Sequence, residues 1–334
     1  SSFNNLSELI DRTNPGEIIM GISSFYNRIV IDLNHSDDKE NEAFLNATLP
    51  FEQFIFINYL FDNNSLPLRS TSDSPSSRPH NKRILERFFV AGEGLATSYD
   101  GQLTLSCSAG FSAIDNATNQ LYLITSARCF PYGSNVPIFH APWEQLYPLN
   151  ELDYFGNVTL LQQTNVDFAF ILKVNPNFKI TPMMRTSVDA IKQLSIDVFN
   201  TGEFPIPEEH LICVSGFFSH VKCGLISTIN TRVAIESVRQ AVVKDNYYGM
   251  LKANIRHVGN AELGATVFSI EFPEDGPYQG MVILVIHGIV TRVRGQTVVI
   301  QPLSGMINFA LTRSFFSRLR FIDMETFREL DPQQ

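Results

Sequence analysis

From Phe89 onward the chain reads as one short β-strand after another, and this pattern most constrains its fold. Apolar runs such as Phe168 to Val174, Leu211 to Ser215, Met281 to Ile286 and Thr297 to Gln301 alternate with Gly, Pro, Asn and Asp. Dense short strands separated by turn residues specify an antiparallel sandwich or barrel. The tail from Ser314 to Leu330 mixes apolar and charged residues and is expected to form a closing helix. No repeat of solenoid length interrupts the pattern.

Four cysteines allow three pairings. Proximity favours Cys107 with Cys129 and Cys213 with Cys223. The first loop holds two apolar strands joined by Asp115-Asn116-Ala117-Thr118-Asn119, a turn-forming run. The second encloses Val214-Ser215-Gly216 and returns through Cys223-Gly224-Leu225-Ile226. Both read as stapled hairpins, each bridge adding roughly 3 kcal/mol on the loop-entropy model. The other reading is four buried thiols in a reducing compartment. No Cys-x-x-Cys pair and no histidine at finger spacing supports zinc, and nothing in the sequence calls for a cofactor or a metal.

Before the strand-rich region, residues 1–68 form a separate unit. Ile29 to Leu33 reads as a strand, Ser36-Asp37-Asp38 as a helix start with carboxylates at the positive end of the dipole, and Phe54 to Ile57 as a second strand. That order is a small α/β unit. Residues 69–86 turn to Ser, Pro, Asp and Asn, the composition of a flexible linker. It contains Lys82-Arg83, which is either a dibasic processing site or a solvated basic pair. Residues 87–334 carry the β domain.

The formal charge of -9 argues against nucleic acid and acidic membrane surfaces as partners. No apolar run reaches the roughly 18 residues that span a bilayer. The chain opens Ser1-Ser2-Phe3 with no signal peptide in view, which reads as a processed or trimmed form. Five Asn-x-Ser/Thr sequons, at Asn5, Asn46, Asn63, Asn116 and Asn157, together with the even cysteine count favour a secreted product.

Two stretches bear on chemistry. Ile124-Thr125-Ser126-Ala127-Arg128-Cys129 resembles the Leu-Thr-Ala-Gly-His-Cys strand end of chymotrypsin-like serine proteases, with Arg128 at the base position. Gly259-Asn260-Ala261-Glu262-Leu263-Gly264-Ala265-Thr266-Val267-Phe268 resembles Gly-Asp-Ser-Gly-Gly-Pro-Val-Phe, with Leu263 at the nucleophile position. Further matches follow in order and point to the streptogrisin and alpha-lytic protease branch. Phe89-Val90-Ala91-Gly92-Glu93 looks like the mature enzyme's start, and Ser106-Cys107-Ser108-Ala109-Gly110-Phe111 like its Cys-Ser/Thr-x-Gly-Phe strand. Val166-Asp167-Phe168-Ala169 looks like the strand carrying the triad aspartate. Cys213-Val214-Ser215-Gly216 through Cys223-Gly224 matches a hairpin with nine residues between the cysteines. Ile283 to Gly288 resembles the strand that flanks the specificity pocket.

The resemblance implies a chymotrypsin-like double antiparallel β-barrel, and it places the α/β unit where this branch carries a pro-domain. It also implies a degenerate site. A guanidinium cannot accept a proton at ordinary pH and an isobutyl group cannot attack a carbonyl. Only Asp167 fits its triad role. Ala261 stands where glycine supplies an oxyanion-hole amide, Glu262 replaces aspartate, and Gly264 keeps the motif.

The expectation is an ion pair between Arg128 and Asp167. The plainer reading turns Arg128 to solvent and leaves Asp167 a satisfied strand-end carboxylate. Leu263 reads either as filling the old pocket or as an ordinary core residue on a strand. His287 and Gly288 are candidates for peptide contact through β-pairing, against a hydrogen-bonded structural histidine. Ser108, Ser126 and Ser269 are the serines within reach of a rearranged site, and none sits in a nucleophile turn. Function then reads as non-catalytic binding of a peptide or protein. The alternatives are an active serine endopeptidase with a rearranged site and a structural secreted protein. An inactive protein is also expected to keep its α/β unit unless another protease cuts near Lys82-Arg83. Oligomeric state is not encoded in any of these features.

Overall fold

The computed structural model describes residues 2–23, 27–34, 38–60, 88–99, 102–131, 133–143, 152–188, 191–202, 206–236, 244–259, 262–274, 278–311 and 319–330. The linker, Lys82-Arg83, Ser36 and Asn63 lie outside these residues. So does Ala261.

The N-terminal unit comprises α1 (Ser2–Thr13), β1 (Ile18–Ser23), β2 (Arg28–Asn34), α2 (Asp38–Thr48) and β3 (Ile55–Leu60). Leu6, Leu9 and Ile10 stand at helical spacing, so α1 has one apolar stripe. That stripe packs with Phe44 of α2 on Ile18, Met20, Ile29, Ile31 and Leu33. β1 and β2 are antiparallel, whereas β2 and β3, separated by α2, are parallel. The β-α-β reading holds, with α1 and β1 added in front of it.

The first barrel is built from β5 to β11 after β4 (Phe88–Ala91), which lies outside its sheet. Its strands are β5 (Gly94–Tyr99), β6 (Gln102–Ser108), β7 (Ser112–Asp115), β8 (Gln120–Thr125), β9 (Pro137–Ala141), β10 (Asp153–Gln162) and β11 (Phe168–Lys173). The order along this sheet is β7-β8-β11-β10-β9-β5-β6. The β7–β8 turn forms as its residues require. Asp115 accepts from the Ala117 amide and the Thr118 hydroxyl, and Asn119 takes a φ of 57°.

The connector supplies β12 (Lys179–Val188), β13 (Ile191–Ser195) and β14 (Val198–Phe199), and β4 runs parallel to β12. The second barrel contains β15 (Leu211–Gly216), β16 (His220–Glu236), β17 (Lys244–Ile255), β18 (Thr266–Glu271), β19 (Ile283–Arg294) and β20 (Thr297–Pro302). These strands run β15-β18-β19-β20-β17-β16, and β16 returns to pair with β15, closing the barrel. The chain ends in α3 (Leu303–Leu311), β21 (Leu319–Phe321) and α4 (Met324–Leu330). β21 joins the first barrel's sheet beside β7. Of the expected closing helix, the described residues give a strand at 319–321 and the helix α4 at the end of the span, while 312–318 lie outside the described residues.

Both disulfides form as paired in the sequence, Cys107–Cys129 and Cys213–Cys223. Cys213 and Cys223 face each other directly across β15 and β16. The first bridge instead ties β6 to the turn that carries Arg128. Val214, Val267, Val290 and Ile300 fill the second barrel. Leu95, Leu123, Phe155 and Ile171 fill the first. A third cluster, with Phe111, Phe168, Phe199 and Ile286, joins the two.

The segmental reading leaves one thing out. β1 pairs with the far half of β16, so β1-β2-β3 continue the second barrel's sheet. The N-terminal unit is part of one hydrogen-bonded sheet with residues far along the chain. Among the described residues, no helix is long and apolar enough to cross a membrane.

Candidate functional site

Arg128 sits on a single 3-10 turn, 127–129, at the end of β8. Ser126 caps this turn, its hydroxyl accepting from the Arg128 amide at 3.2 Å. Asp167 approaches from the start of β11. It accepts from the Ser126 hydroxyl at 2.6 Å and the Ala127 amide at 2.8 Å. The Gln301 side-chain oxygen accepts from its amide at 3.0 Å. Asp167 is wholly buried, and burial pushes its pKa up to about 6. The Ser126 hydroxyl, the Arg128 charge, the Ala127 amide and Thr291 pull it down, and they do not prevail.

Arg128 is buried, with 3 % of its side chain exposed, so it does not turn to solvent. Among the described residues, its ion pair is with Asp245 of β17, Nη1 to Oδ2 at 3.7 Å, and not with Asp167. The expected partner is displaced because Asp167 already holds two short hydrogen bonds from the Arg128 turn itself. The Arg128 charge still acts on Asp167. Tyr247, two residues after Asp245, is fully buried among the charges of Asp167, Arg128 and Asp245. Burial raises its phenol far above the usual range. The Asn165 amide donates to the Asn246 carbonyl at 3.2 Å, tying β17 to the segment before Asp167.

Leu263 lies in the turn before β18, not on a strand. Its side chain packs against the first-barrel cluster that includes Ala127 and Cys129. Its carbonyl accepts from the Ser108 amide at 2.9 Å. Gly264 has a φ of +81°, and a Cβ there would fall 1.8 Å from the Thr125 hydroxyl, so only glycine completes this turn. Glu262 is buried and anchors the turn, accepting from the Ser108 hydroxyl at 2.6 Å and from the Ser219 amide. Burial raises its pKa. Arg128, Asp167 and Leu263 therefore meet at the seam between the barrels, while the backbone at Ala261 is outside the described residues.

His287 and Gly288 do not line an open edge, which corrects the sequence expectation. Gly288 pairs with Val267 on one side and Pro302 on the other. His287 is 2 % exposed and engaged with Asn200 and Ser269. The part of β19 near Asp167 is Thr291, not His287.

A directed chain of hydrogen bonds runs through His287. The Gly202 amide donates to Asn200 Oδ1 at 3.0 Å, which orients the Asn200 amide so that Nδ2 donates to His287 Nδ1 at 3.0 Å. His287 Nε2 then carries the proton and donates to Ser269 Oγ at 2.6 Å, and Ser269 donates to Glu271. His210 Nε2 donates to the same carboxylate at 2.8 Å. Burial, and next the neighbouring His210, press the His287 pKa down to about 4. His210, Glu271 and His287 have the donor types of a zinc site, their ligand atoms lying within 4.8 Å of one another. The tautomer fixed by Asn200 places a proton on the nitrogen a metal would need.

The three candidate serines are buried and engaged. Ser108 donates to Glu262, Ser126 to Asp167 and Ser269 to Glu271. Of the sequons, Asn5, Asn46 and Asn116 are exposed, and Asn157 on β10 is half-buried. Sequence reasoning missed Asp245 and Tyr247, which gave no signal beyond one acid at a strand start. It also missed the buried Glu93, which accepts from His140 at 2.6 Å and Arg185 at 2.7 Å. Burial would raise the Glu93 pKa, but the contacts with His140 and Arg185 prevail and lower it.

No family model matches the chain, and no curated protein matches it. Several solved structures resemble it. Thermobifida fusca Protease A is 14% identical, covers 71% of this chain and 99% of its own, and has a TM-score of 0.47. Nocardiopsis Protease (NAPase) is 16% identical over 70% of this chain and 98% of its own, with a TM-score of 0.47. The Cellulomonas bogoriensis chymotrypsin is 14% identical over 71% of this chain and all of its own, also with a TM-score of 0.47. The chain is mostly β, with curled antiparallel sheets of the chymotrypsin-like double-barrel type. The reading of the site rests on its own geometry.

Proposed function

We propose that this chain is a secreted, non-catalytic protein of serine-protease fold that acts by binding a peptide or protein. One observation carries the reading. Arg128, buried and paired with Asp245, stands on the turn that holds Asp167, and the hydrocarbon of Leu263 packs against the same turn. Neither a proton acceptor at the base position nor an attacking atom at the nucleophile position is present there. Two disulfides and exposed sequons at Asn5, Asn46 and Asn116 support an extracellular setting. With Arg128, Asp245 and Tyr247 buried beside Asp167, recognition uses loops and surfaces around them.

A second reading, an active endopeptidase with a rearranged site, draws on the 2.6 Å contact of Ser269 with His287. Two facts count against it. Both side chains are 2 % exposed. The nitrogen facing Ser269 carries the proton, so it cannot serve as base. Incubation with a fluorophosphonate, followed by intact mass, tests the proposal. The expected mass is unchanged; stoichiometric addition overturns the proposal.

A further inference from the structure

The N-terminal unit is bound to the second barrel by more than chain connectivity. β1 pairs with β16 through Ile18–Ala234, Ile19–Val233, Met20–Arg232 and Ile22–Ile229. Ile18, Met20, Val233 and Ala234 are all buried. Three sets of charges cross the same junction. Glu17 accepts from Arg292 at 2.6 Å and Arg294 at 2.8 Å. Arg232, 1 % exposed, reaches Ser7 and Asp11 of α1. Lys252 pairs with Asp32 of β2, both nearly inaccessible, and Asn58 of β3 also donates to Asp32. Removing the unit would leave Arg232 and Lys252 without these partners on an apolar, opened sheet edge. Water would hydrate the two cations, but the strand pairing, the apolar burial and the ion pairs of the junction would be lost together, leaving an unpaired sheet edge.

The junction also reaches the surroundings of Arg128 and Asp167. Ile19 of β1 belongs to one buried cluster with Val233, Ile235, Tyr247, Met250 and Val299. Tyr247 is the residue that lies among Arg128, Asp167 and Asp245. Glu17 grips Arg292, the neighbour of Thr291 beside Asp167. The unit therefore backs the stretch of β17 that covers Arg128.

We propose that residues 2–60 are a permanent third body of this protein. They stay bound to the second barrel when the chain is cut between Leu60 and Phe88, and they hold Asp245 and Tyr247 over Arg128 as an internal lid. This goes beyond the absence of catalysis and does not depend on it.

The full chain is nicked between residues 60 and 88 by an added protease and run under native conditions in moderate salt. Accessible arginines are then modified with phenylglyoxal and mapped by mass spectrometry. The expected result is a one-to-one complex of the two fragments, with Arg128 protected as in the uncut chain. Loss of the N-terminal fragment, whether or not the remainder unfolds, overturns retention. A Glu17→Gln, Lys252→Met variant tests the lid. Arg128 is expected to react about tenfold faster in it, as local opening becomes easier. An unchanged Arg128 rate in that variant overturns the lid.

Discussion

Replacing Arg128 by Met tests the electrostatics around Asp167 and Asp245. Met keeps the aliphatic stem but not the guanidinium end, so the variant loses the buried cation together with some packing at its tip. At 3.7 Å from Asp245, the guanidinium contributes an attraction of about 4 kcal/mol at an effective dielectric near 20. It also opposes the burial that raises the Asp167 pKa. Without it, Asp167 and Asp245 remain buried or nearly so and both lose the Arg128 charge. Breaking one side of such a pair costs roughly 3–5 kcal/mol. The sign of the pH dependence follows. The folded Asp167 pKa, already raised to about 6, rises further, so protonation relieves the variant as pH falls. Urea unfolding of Arg128→Met with both disulfides intact is expected to show a loss of about 3 kcal/mol or more at pH 8 and a smaller loss at pH 5. A loss under about 1 kcal/mol at pH 8, or equal losses at both pH values, refutes the reasoning. A cycle with Asp245→Asn should show coupling on the order of 1–3 kcal/mol.

Three other outcomes follow from the same geometry. Because the folded Asp167 pKa lies above the unfolded one, its ionised form costs stability above about pH 6 and costs nothing below pH 3.8. Asp167→Asn is therefore expected to gain stability relative to the parent as pH rises from 4 to 8, read by thermal unfolding across that range. The folded pKa of His287 is instead depressed, to about 4 from 6.5, so its neutral form contributes stability above pH 6.5 that is lost as pH falls toward 4. His287→Asn should flatten the acid limb of the stability curve in that window; an unchanged slope contradicts the buried, neutral assignment. Gly264→Ala meets the Thr125 hydroxyl at 1.8 Å and needs a φ of +81°, so a loss of more than about 3 kcal/mol or failure to fold is expected, measured by yield and denaturation.

The strand-rich body, both disulfides and the meeting of Arg128, Asp167 and Leu263 were legible because they rest on local signals. Turn residues set the β7–β8 hairpin, and short cysteine spacing set the bridges. A run of motif residues fixed the two turns at the barrel seam. What was not legible depends on contacts between distant residues. Nothing in the sequence assigns Asp245 to Arg128, since the pairing depends on β17 crossing the seam 117 residues later. The peptide-edge reading of His287 and Gly288 failed because an apolar run shows that a strand is buried, not which of its residues sits at an open edge. β19 is covered on both sides at Gly288. The linker composition suggested two independent bodies, yet the sheet runs through both. Strand pairing between β1 and β16 leaves no mark in either segment alone.

The most direct test is proteolysis itself. Purified protein, with both disulfides intact, is incubated with a mixed peptide library at several pH values and the products are sequenced by mass spectrometry. The account predicts no cleavage above a heat-inactivated control. Cleavage that co-purifies with the protein and is lost in Ser269→Ala, Ser126→Ala or Ser108→Ala would contradict it.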